Sequence, residues 1–285
     1  MFSFVLFCLL IQLSQALEFR IISFNIRGNA TKEQLYPHEQ YWADRKGDQI
    51  KALATLTNDL PSVLGLQEVH KNQLDDLVNG LSAETKTQWK SFGVASYDGK
   101  ESGEIDAVLF KDSEWELING TTKWLSETPD VPSKSWGTLY GRTVSIVELK
   151  NRNSGNHINF FTTHFDDRSE EARQHSSELI NTWANNMNNE YPTFVAGDLN
   201  SQSADKGYQT LSQSMYDIRQ TAREKISGLM TYSGFEPNDV QTVIDFVWSL
   251  KTNNVDLKSY DIADNWGSQG DRYSDHRAVL TKIII

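Results

Sequence analysis

Polar side chains stand at the ends of apolar, strand-like segments along most of this chain. The clearest examples are GDLN at 197–200, VIDFVW at 243–248 and SDH at 274–276, which place an Asp or a His where an apolar run meets a loop. Loops at one edge of a sheet lie close together and often carry function. The pattern therefore predicts a sheet protein that gathers acids, amides and a histidine at one rim. The acids and amides are Asn25, Glu68, Asp198, Asn200, Asp245 and Asp275.

These six side chains favour a site for a hard cation. A charged group beside a buried strand is costly unless it binds a cation or a partner. Oxygen-only ligands suit magnesium, manganese or calcium, and the sequence contains no HExxH zinc motif. Each acid alone could be a turn former or a strand-end cap. All six together favour a metal site.

Two of the six histidines differ from the others in their surroundings. His276 follows Asp275 and precedes an apolar strand, and His164 ends the strand FFTTH before Asp166 and Asp167. An imidazole oriented by a carboxylate can remove a proton from water, and a second imidazole nearby can donate to an oxyanion or a leaving group. The pattern does not identify which carboxylate orients His276.

Strand-like and helix-like patterns alternate without a linker or an internal repeat, which predicts one domain over residues 17–285. The β-rich middle argues against a purely parallel, doubly wound sheet and favours two sheets packed face to face with helices outside, an α/β (α+β) fold. The predicted strands are 18–24, 62–69, 105–110, 142–149, 157–163, 193–197, 243–248 and 277–285. The predicted helices are 44–60, one around 74–81, and one that Ser169 caps and that runs to about Met187.

The N-terminal segment resembles a secretory signal peptide. Residues 1–16 are apolar at first and then polar, and Ser14 and Ala16 are small residues at the −3 and −1 positions of a cleavage site. The segment is too short to span a bilayer, which takes about 20 residues. We expect cleavage after Ala16 and a secreted protein, and a buried N-terminal strand or helix is the alternative. Removal of Cys8, the one cysteine, would leave no disulfide in the mature chain.

The net charge and the glycosylation sequons of the chain indicate which molecules the mature protein can meet and bind. The formal net charge is −11, and such a field repels polyanions unless a local patch or a metal reverses it. The sequons at Asn29 (NAT) and Asn119 (NGT) fit a secretory route and predict glycosylation there. No second apolar span follows the first, so we expect a soluble monomer without a transmembrane segment.

The segments SFNIR, LQEV, WLSETPDVPSKSW, TTHFDD, GDLN, IDFVW and SDHRAV occur in this order across nearly the whole mature chain. Together they resemble the endonuclease/exonuclease/phosphatase superfamily, the DNase-like metal-dependent phosphoesterases. The resemblance implies a four-layer sandwich of two mixed β-sheets flanked by helices, with Mg2+ or Mn2+ as cofactor. It also implies that Glu68 is the main metal ligand, that Asn25 and Asp275 lie near the metal, and that Asp198 and Asn200 position the water and the phosphate.

The same resemblance assigns the base and the phosphate contacts. His276 would be the general base, held by Asp245. His164 would contact the phosphate and pair with Glu104. Arg142 would lie near the phosphate, where the guanidinium offers a fixed fork of donors.

The substrate is less constrained by the sequence. Some nucleases of the superfamily have an Asp two residues after the first Asn, where this chain has Arg27, so the resemblance is nearer to small-substrate and secreted members. Trp124, Trp136 and Tyr140 could stack on a base or a sugar, or pack in the core. We therefore predict hydrolysis of a small or exposed phosphoester.

Several alternatives remain at this point. A secreted nuclease acting on DNA or RNA is the main one, since acidic nucleases of this superfamily exist. A glycoside hydrolase would explain paired acids and eight tryptophans but not the histidine set, and a serine hydrolase lacks its GxSxG motif. The non-catalytic alternative is a binding protein that keeps the fold without the chemistry.

Overall fold

The computed structural model of the protein describes residues 16–236 and 238–285. Its strands are β1 (Glu18–Asn25), β2 (Ser62–Val69), β3 (Trp89–Phe92), β4 (Ile105–Lys111), β5 (Trp115–Trp124), β6 (Thr143–Asn151), β7 (His157–His164), β8 (Thr193–Asp198), β9 (Met215–Asp217), β10 (Glu224–Lys225), β11 (Asp245–Leu250), β12 (Asp256–Ile262) and β13 (Val279–Ile284). Its helices are α1 (Trp42–Leu56), α2 (Lys71–Thr85), α3 (Glu170–Asn185), α4 (Lys206–Leu211) and α5 (Ile218–Thr221), and a short 3-10 turn spans Lys32–Gln34. Apart from Ala16, the predicted signal segment lies outside the described residues.

The strands form two mixed sheets. The order in the first is β10-β12-β13-β1-β2-β4-β3, and in the second β5-β6-β7-β8-β11-β9. In the first sheet β1 is parallel to β2 and antiparallel to β13. In the second, β7 is parallel to β8, and β11 is antiparallel to β8. The prediction of mixed sheets, rather than a doubly wound parallel sheet, is confirmed.

Three apolar clusters hold the sheets and helices together. The cluster between the sheets takes side chains from both, including Phe19, Val108, Phe160, Phe194 and Val279. A second cluster joins α1 and α2 to the outer face of the first sheet, and a third joins α3 and α4 to the outer face of the second. The four layers are helices, sheet, sheet and helices, as predicted.

The predicted elements occur with shifted ends. The helix predicted at 44–60 begins at Trp42 and ends at Leu56, because the backbone of Thr57 leaves the helical conformation, with φ −112° and ψ 11°. The final strand is shorter than predicted, and VIDFVW becomes a strand only from Asp245. Ser169 caps α3 as predicted, since its side chain accepts the amide hydrogen of Ala172.

The short 3-10 turn and seven other elements were not predicted, namely β3, β5, β9, β10, β12, α4 and α5. The strand β5 lies at the edge of the second sheet, and its register shifts between Leu117 and Asn119. The shift and the exposed outer residues disturb the alternation by which a half-buried strand is recognised.

The register of the strands brings their polar ends to one end of the sandwich. His164 of β7 is opposite Asp198 of β8, and Asp198 is opposite Asp245 of β11. In the first sheet, Asn25 ends β1 beside Gln67 of β2. Three side chains from three neighbouring strands therefore stand in a row across the second sheet.

None of the helices within residues 16–236 and 238–285 combines the length and the hydropathy needed to cross a membrane.

One carboxyl of the fold was missed by the sequence analysis, because it lies inside an otherwise apolar strand. Asp106 of β4 is 5% exposed, and its Oδ2 accepts a hydrogen bond from Thr143 Oγ1 at 2.5 Å. Burial raises the pKa of Asp106 from its ordinary value of 3.8 to about 7, although His164 and the Thr143 hydroxyl partly offset it. The folded protein therefore keeps a proton on Asp106 that the unfolded chain releases.

This proton gives a testable dependence of stability on pH. A carboxyl whose pKa is raised on folding contributes stability that is present at low pH and is lost as pH rises through the folded pKa, here between about 4 and 7. Between pH 5 and 8 the wild type should lose on the order of 2–3 kcal/mol more unfolding free energy than Asp106→Asn. Urea unfolding at both pH values measures this, with Glu84→Gln on the exposed face of α2 as control. Equal pH dependence in wild type and Asp106→Asn would show that Asp106 is ionised in the fold.

Candidate active site

His276 and Asp245 form a closely paired histidine and carboxylate. His276 Nδ1 lies 2.9 and 3.0 Å from the two oxygens of Asp245, and both side chains are buried. A carboxylate only accepts hydrogen bonds, so Nδ1 carries the hydrogen and Nε2 is the basic nitrogen when the ring is neutral. His276 Nε2 is 3.6 Å from Asp198 Oδ2, which is longer than a hydrogen bond. The ring therefore has the orientation that a general base needs.

The backbone around His276 is fixed by two polar side chains. The Ser274 hydroxyl donates to the Asn25 carbonyl at 2.8 Å, which ties this segment to the end of β1. Asn265 Nδ2 donates to the carbonyls of Ser274 and His276 at 2.6 and 2.9 Å. These bonds connect the last loop to the first strand of the chain.

Two further residues beside this pair were missed by the sequence analysis. Thr231 Oγ1 accepts the amide hydrogen of Asp245 at 3.0 Å. The Tyr232 ring meets the His276 imidazole edge-on, with 5.1 Å between centroids. Both residues lie in a loop without periodicity, so no signal in the sequence points to them.

Asn25 joins the carboxylates of the two sheets. Its Nδ2 donates to Glu68 Oε1 at 2.9 Å and to Asp198 Oδ2 at 3.0 Å, while its Oδ1 accepts the amide hydrogen of Arg27. In this arrangement the amide nitrogen faces the carboxylates. Asn25 thus bridges Glu68 and Asp198, and its predicted role as an oxygen ligand would require the amide to turn.

The backbone of β2 is irregular at Glu68, and this irregularity directs the Glu68 side chain toward the rim. The register of β2 against β4 shifts at this point, and Glu68 has a φ of 60°. Arg27 and Asn200, which lie nearby in the site, also have positive φ, at 61° and 45°. Such conformations are uncommon for residues other than glycine and cluster at functional sites. The amide of Gly28 donates to Glu68 Oε2 at 2.9 Å and fixes the carboxylate.

A buried arginine of α1 holds the loop that carries Gly28. Arg45 is 1% exposed, and its guanidinium donates to four carbonyls, those of Ile26, Arg27, Gly28 and Tyr273, at 2.6–3.2 Å. The sequence analysis missed this residue, because a charged position on an amphipathic helix normally faces water.

His164 and Arg142 form the opposite side of the site. Arg142 Nη1 lies 3.0 Å from His164 Nδ1 and donates to Glu104 Oε2 at 3.3 Å, and Nη2 donates to Asp167 Oδ1 at 3.2 Å. Glu104 Oε2 is 3.7 Å from His164 Nδ1. Glu104 thus lies within ion-pairing distance of His164, the pairing that the resemblance implies, and Arg142 Nη1 contacts both side chains. Arg142 is the closer partner of His164, and Glu104 binds Arg142.

Asn200 lies on the same side of the site, beside His164. Its Nδ2 lies 3.0 Å from His164 Nε2 and donates to the Phe165 carbonyl at 3.0 Å, and its backbone amide donates to Asp198 Oδ1 at 2.9 Å. Asp198 is 1% exposed and stands between the two histidines, since its Oδ2 is 3.6 Å from Nε2 of each.

Ionisation in the site is strongly perturbed. Burial lowers the pKa of His276, but Asp245 and Asp198 outweigh it and hold the pKa well above its ordinary value. Burial raises the pKa of Asp275 to about 6, and the charge of Glu68 adds to this effect. Burial also acts to raise the pKa of Glu68, but His164, Arg27 and its hydrogen bonds hold it at about 2. The site thus concentrates negative charge that partners only partly offset.

The donor set fits a divalent cation. Asp275 Oδ1 is buried and has no hydrogen-bond partner among the described residues. Together with the Glu68 carboxylate it offers hard oxygen ligands in a region where a positive ion would relieve repulsion. A second group is also present, because Asp198, Asp245 and His276 have ligand atoms within 4.8 Å of one another.

Of the three aromatic residues for which stacking and core packing were both open, one packs in the core and two lie at the surface. Trp124 is 5% exposed and its Nε1 donates to the Ser96 carbonyl, so it packs in the fold and cannot stack on a ligand. Trp136 is partly exposed and stacks on His175 with 4.6 Å between centroids. Tyr140 is 38% exposed, and the Arg142 guanidinium lies 6.0 Å from its ring centroid.

Comparisons with known proteins agree with this geometry. The Endonuclease/Exonuclease/phosphatase family matches residues 22–276. A solved structure of a family protein from Bacteroides vulgatus is 28% identical, with a TM-score of 0.80 over 94% of this chain and 98% of that chain. A family protein from Bacteroides thetaiotaomicron is 24% identical, with a TM-score of 0.84 over 95% of this chain and 96% of that chain.

A mannosyl-6-phosphatase from Bacteroides thetaiotaomicron is similarly related. It is 24% identical, with a TM-score of 0.82 over 94% of this chain and all of that chain. No match was found among curated proteins. The family match covers nearly the whole chain and the structural likeness shows the same fold, so this chain belongs to the endonuclease/exonuclease/phosphatase family.

Proposed function

We propose that this protein is a secreted phosphoesterase that requires a divalent metal ion and hydrolyses a small or exposed phosphoester. The observation that carries the proposal is the position of Asp198 Oδ2. Asn25 Nδ2, which also bridges to Glu68, lies 3.0 Å from it, and His276 Nε2 lies 3.6 Å from it. A carboxylate cluster and an oriented base therefore meet at one point.

His276 is the proton acceptor in this proposal when its ring is neutral, a state that a bound divalent ion would favour by offsetting the carboxylates that raise its pKa. Asp245 holds Nδ1, so Nε2 faces the position beside Asp198 where a water molecule would attack. Asp198 orients that water by accepting one of its hydrogens, and His276 takes the other as the P–O bond breaks. Water attacks directly, so no covalent enzyme intermediate is needed.

Glu68 and Asp275 would hold Mg2+ or Mn2+ in this scheme, with Asn25 beside them. When bound, the ion would neutralise charge on the phosphoryl oxygens. The group formed by Asp198, Asp245 and His276 is assigned to proton transfer, because both oxygens of Asp245 contact the imidazole.

The phosphate contacts come from the other side of the site. Asn200 Nδ2 and the guanidinium of Arg142 are donors on either side of His164. Donors fixed before the substrate binds are effective at stabilising charge that develops during reaction. Trp136 and Tyr140, at the rim beyond Arg142, are proposed contacts for the leaving group.

The cations at the rim favour a small substrate. Arg27 binds Glu39 through Nε and Nη2 at 2.9 and 3.1 Å, and Arg142 binds Glu104 and Asp167. Because these guanidinium groups are already paired with carboxylates, few charges remain to bind successive phosphates of a polynucleotide. The net charge of −11 and the phosphatase among the structural relatives support the same choice. Nuclease activity is the second candidate, since the family also includes nucleases.

Export from the cell is supported by the sequence of residues 1–16, with its apolar run and its small residues Ser14 and Ala16.

The assignment of His276 as the general base can be tested by substitution. His276→Ala should lower kcat at least about 100-fold, since general base catalysis contributes roughly 10²–10⁴. Asp245→Asn should lose less, because it orients the ring without accepting the proton. His157→Ala is the matched control, as this histidine lies at the opposite end of β7. Wild-type rates in folded His276→Ala would remove the residue from the chemistry.

The substrate class can be tested with a panel of phosphoesters and with the salt dependence of kcat/KM. We expect the highest kcat/KM, with Mg2+ or Mn2+ present, on a phosphomonoester or small diester such as a sugar phosphate or a nucleotide. Between about 20 and 200 mM salt this value should change only modestly, whereas polynucleotide binding weakens steeply. Efficient cleavage of duplex DNA with a steep salt slope would instead establish the nuclease, and no hydrolysis of any phosphoester would refute both.

A further inference from the structure

A groove lies on the outer face of the second sheet, far from the active site. It has a volume of about 420 Å3 and runs between β5 and the end of α3. Asn119 is opposite Glu148 and Thr121 is opposite Ile146 in the register of β5 and β6, so these four side chains share one face. Ile146 packs in the cluster under α3, which identifies this face as the helix-covered one. Trp183 and Met187 at the end of α3 line the other wall.

The amide of Asn119 is free to carry a modification. Its side chain is exposed, and its Oδ1 accepts the amide hydrogen of Gly120 at 2.8 Å. Its Nδ2 has no hydrogen-bond partner among the described residues, and this is the atom to which an N-linked sugar is attached. Thr121 supplies the hydroxyl residue of the sequon.

The groove has the mixed lining that suits a sugar. Trp183, Met187 and Ile146 offer an aromatic ring and aliphatic surface, and the Asn188 amide and the Asn186 side-chain oxygen offer polar groups, since Asn186 Nδ2 donates to the Thr182 carbonyl. A pyranose ring presents apolar C–H groups on one face and polar groups around its edge. Aromatic rings and a few placed polar groups are the usual means by which a pocket binds such a ligand.

We propose that the first sugars of an N-linked glycan on Asn119 lie in this groove against Trp183. The proposal rests on the proposed export of the chain and not on its catalytic activity. The attachment point, Asn119, lines the groove itself. The sugars are therefore tethered beside the groove, and their contact with it does not carry the entropic cost of associating two separate molecules.

A glycan at this position would also cover a free sheet edge. The strand β5 is the outermost strand of the second sheet, and Leu117 and Ile118 are 37% and 46% exposed. Such an edge can pair with another chain unless it is covered or interrupted. A sugar on the next residue, Asn119, would obstruct that pairing.

The groove is separate from the catalytic residues. Glu148 in its wall is opposite Asn159 of β7, and Asn159 precedes His164 by five residues, or about 17 Å along a strand. Changes to the sequon or to Trp183 should therefore leave kcat on any substrate unchanged.

The test compares the full-length chain made in a eukaryotic secretory cell line with the same chain made in bacteria. The variants are Thr121→Ala, which removes the sequon, Thr121→Ser, which keeps it, and Trp183→Leu. Glycopeptide mass spectrometry should find N-acetylhexosamine on Asn119 of the secreted wild type, Thr121→Ser and Trp183→Leu, and none on Thr121→Ala. The secreted wild type should melt about 2–4 °C above secreted Thr121→Ala, which lacks the Asn119 glycan and shares any glycan on Asn29, the shift expected for roughly 1 kcal/mol in a chain of this size.

The bacterial proteins separate the sugar from the substitution. Without glycan, wild type and Thr121→Ala should melt within about 1 °C of each other, and in Trp183→Leu the gain from the glycan should fall below about 1 °C. A full gain in Trp183→Leu, or none in the wild type, would place the sugars outside the groove and leave it to another occupant. An unmodified Asn119 in secreted protein, or failure of the chain to be exported, would also overturn the proposal.

Discussion

Repulsion between buried carboxylates is the constraint on which the rest of the site depends. Glu68, Asp198, Asp245 and Asp275 converge from different strands and loops, and like charges interact strongly where water is excluded. The raised pKa of Asp275, at about 6, reflects burial and the charge of Glu68. A protein can retain such a cluster only if donors and cations offset it.

The surrounding structure provides hydrogen-bond donors to three of these four carboxylates. Asn25 bridges Glu68 and Asp198, the Gly28 amide binds Glu68, and His276 binds Asp245. Asp275 is the exception, because its Oδ1 has no hydrogen-bond partner among the described residues. That remaining oxygen is the feature that favours a metal ion over a purely structural network.

The fold fixes these donors through long-range contacts. Arg45 of α1 holds the loop of Gly28 by four backbone carbonyls, and Ser274 ties the final loop to the end of β1. In the second sheet, the register of β7, β8 and β11 places His164, Asp198 and Asp245 side by side. The geometry of the candidate site therefore depends on residues outside it, which is consistent with the uncommon positive φ angles at Glu68 and Asn200.

The sequence predicted the fold class and the gathering of polar strand ends at one rim, because both depend on local patterns. Apolar runs that end in Asp, Asn or His mark strand ends, and the sheet brings these ends together. Partners distant in the chain could not be predicted in this way. The contacts of Arg142 with both Glu104 and His164, and the burial of Trp124, depend on packing between strands.

The edge strand β5 was missed for a related reason. Its outer residues face water, and its register shifts beside Asn119, so it lacks the alternation of a half-buried strand. Loop residues such as Tyr232 and Thr231 carry no periodicity at all, and only the folded chain shows that they contact His276 and Asp245.

The claim that the carboxylate cluster is a cation site is tested most directly by Mn2+ titration. Calorimetry on wild type, Glu68→Gln, Asp275→Asn and Asp245→Asn would locate the site, with exposed Glu84→Gln as control. The account predicts a Mn2+ site that Glu68→Gln and Asp275→Asn each weaken at least about tenfold and that Asp245→Asn changes little. Unchanged binding in Glu68→Gln, with loss in Asp245→Asn, would place the ion at the group of Asp198, Asp245 and His276 and contradict the assignment of His276 as the base.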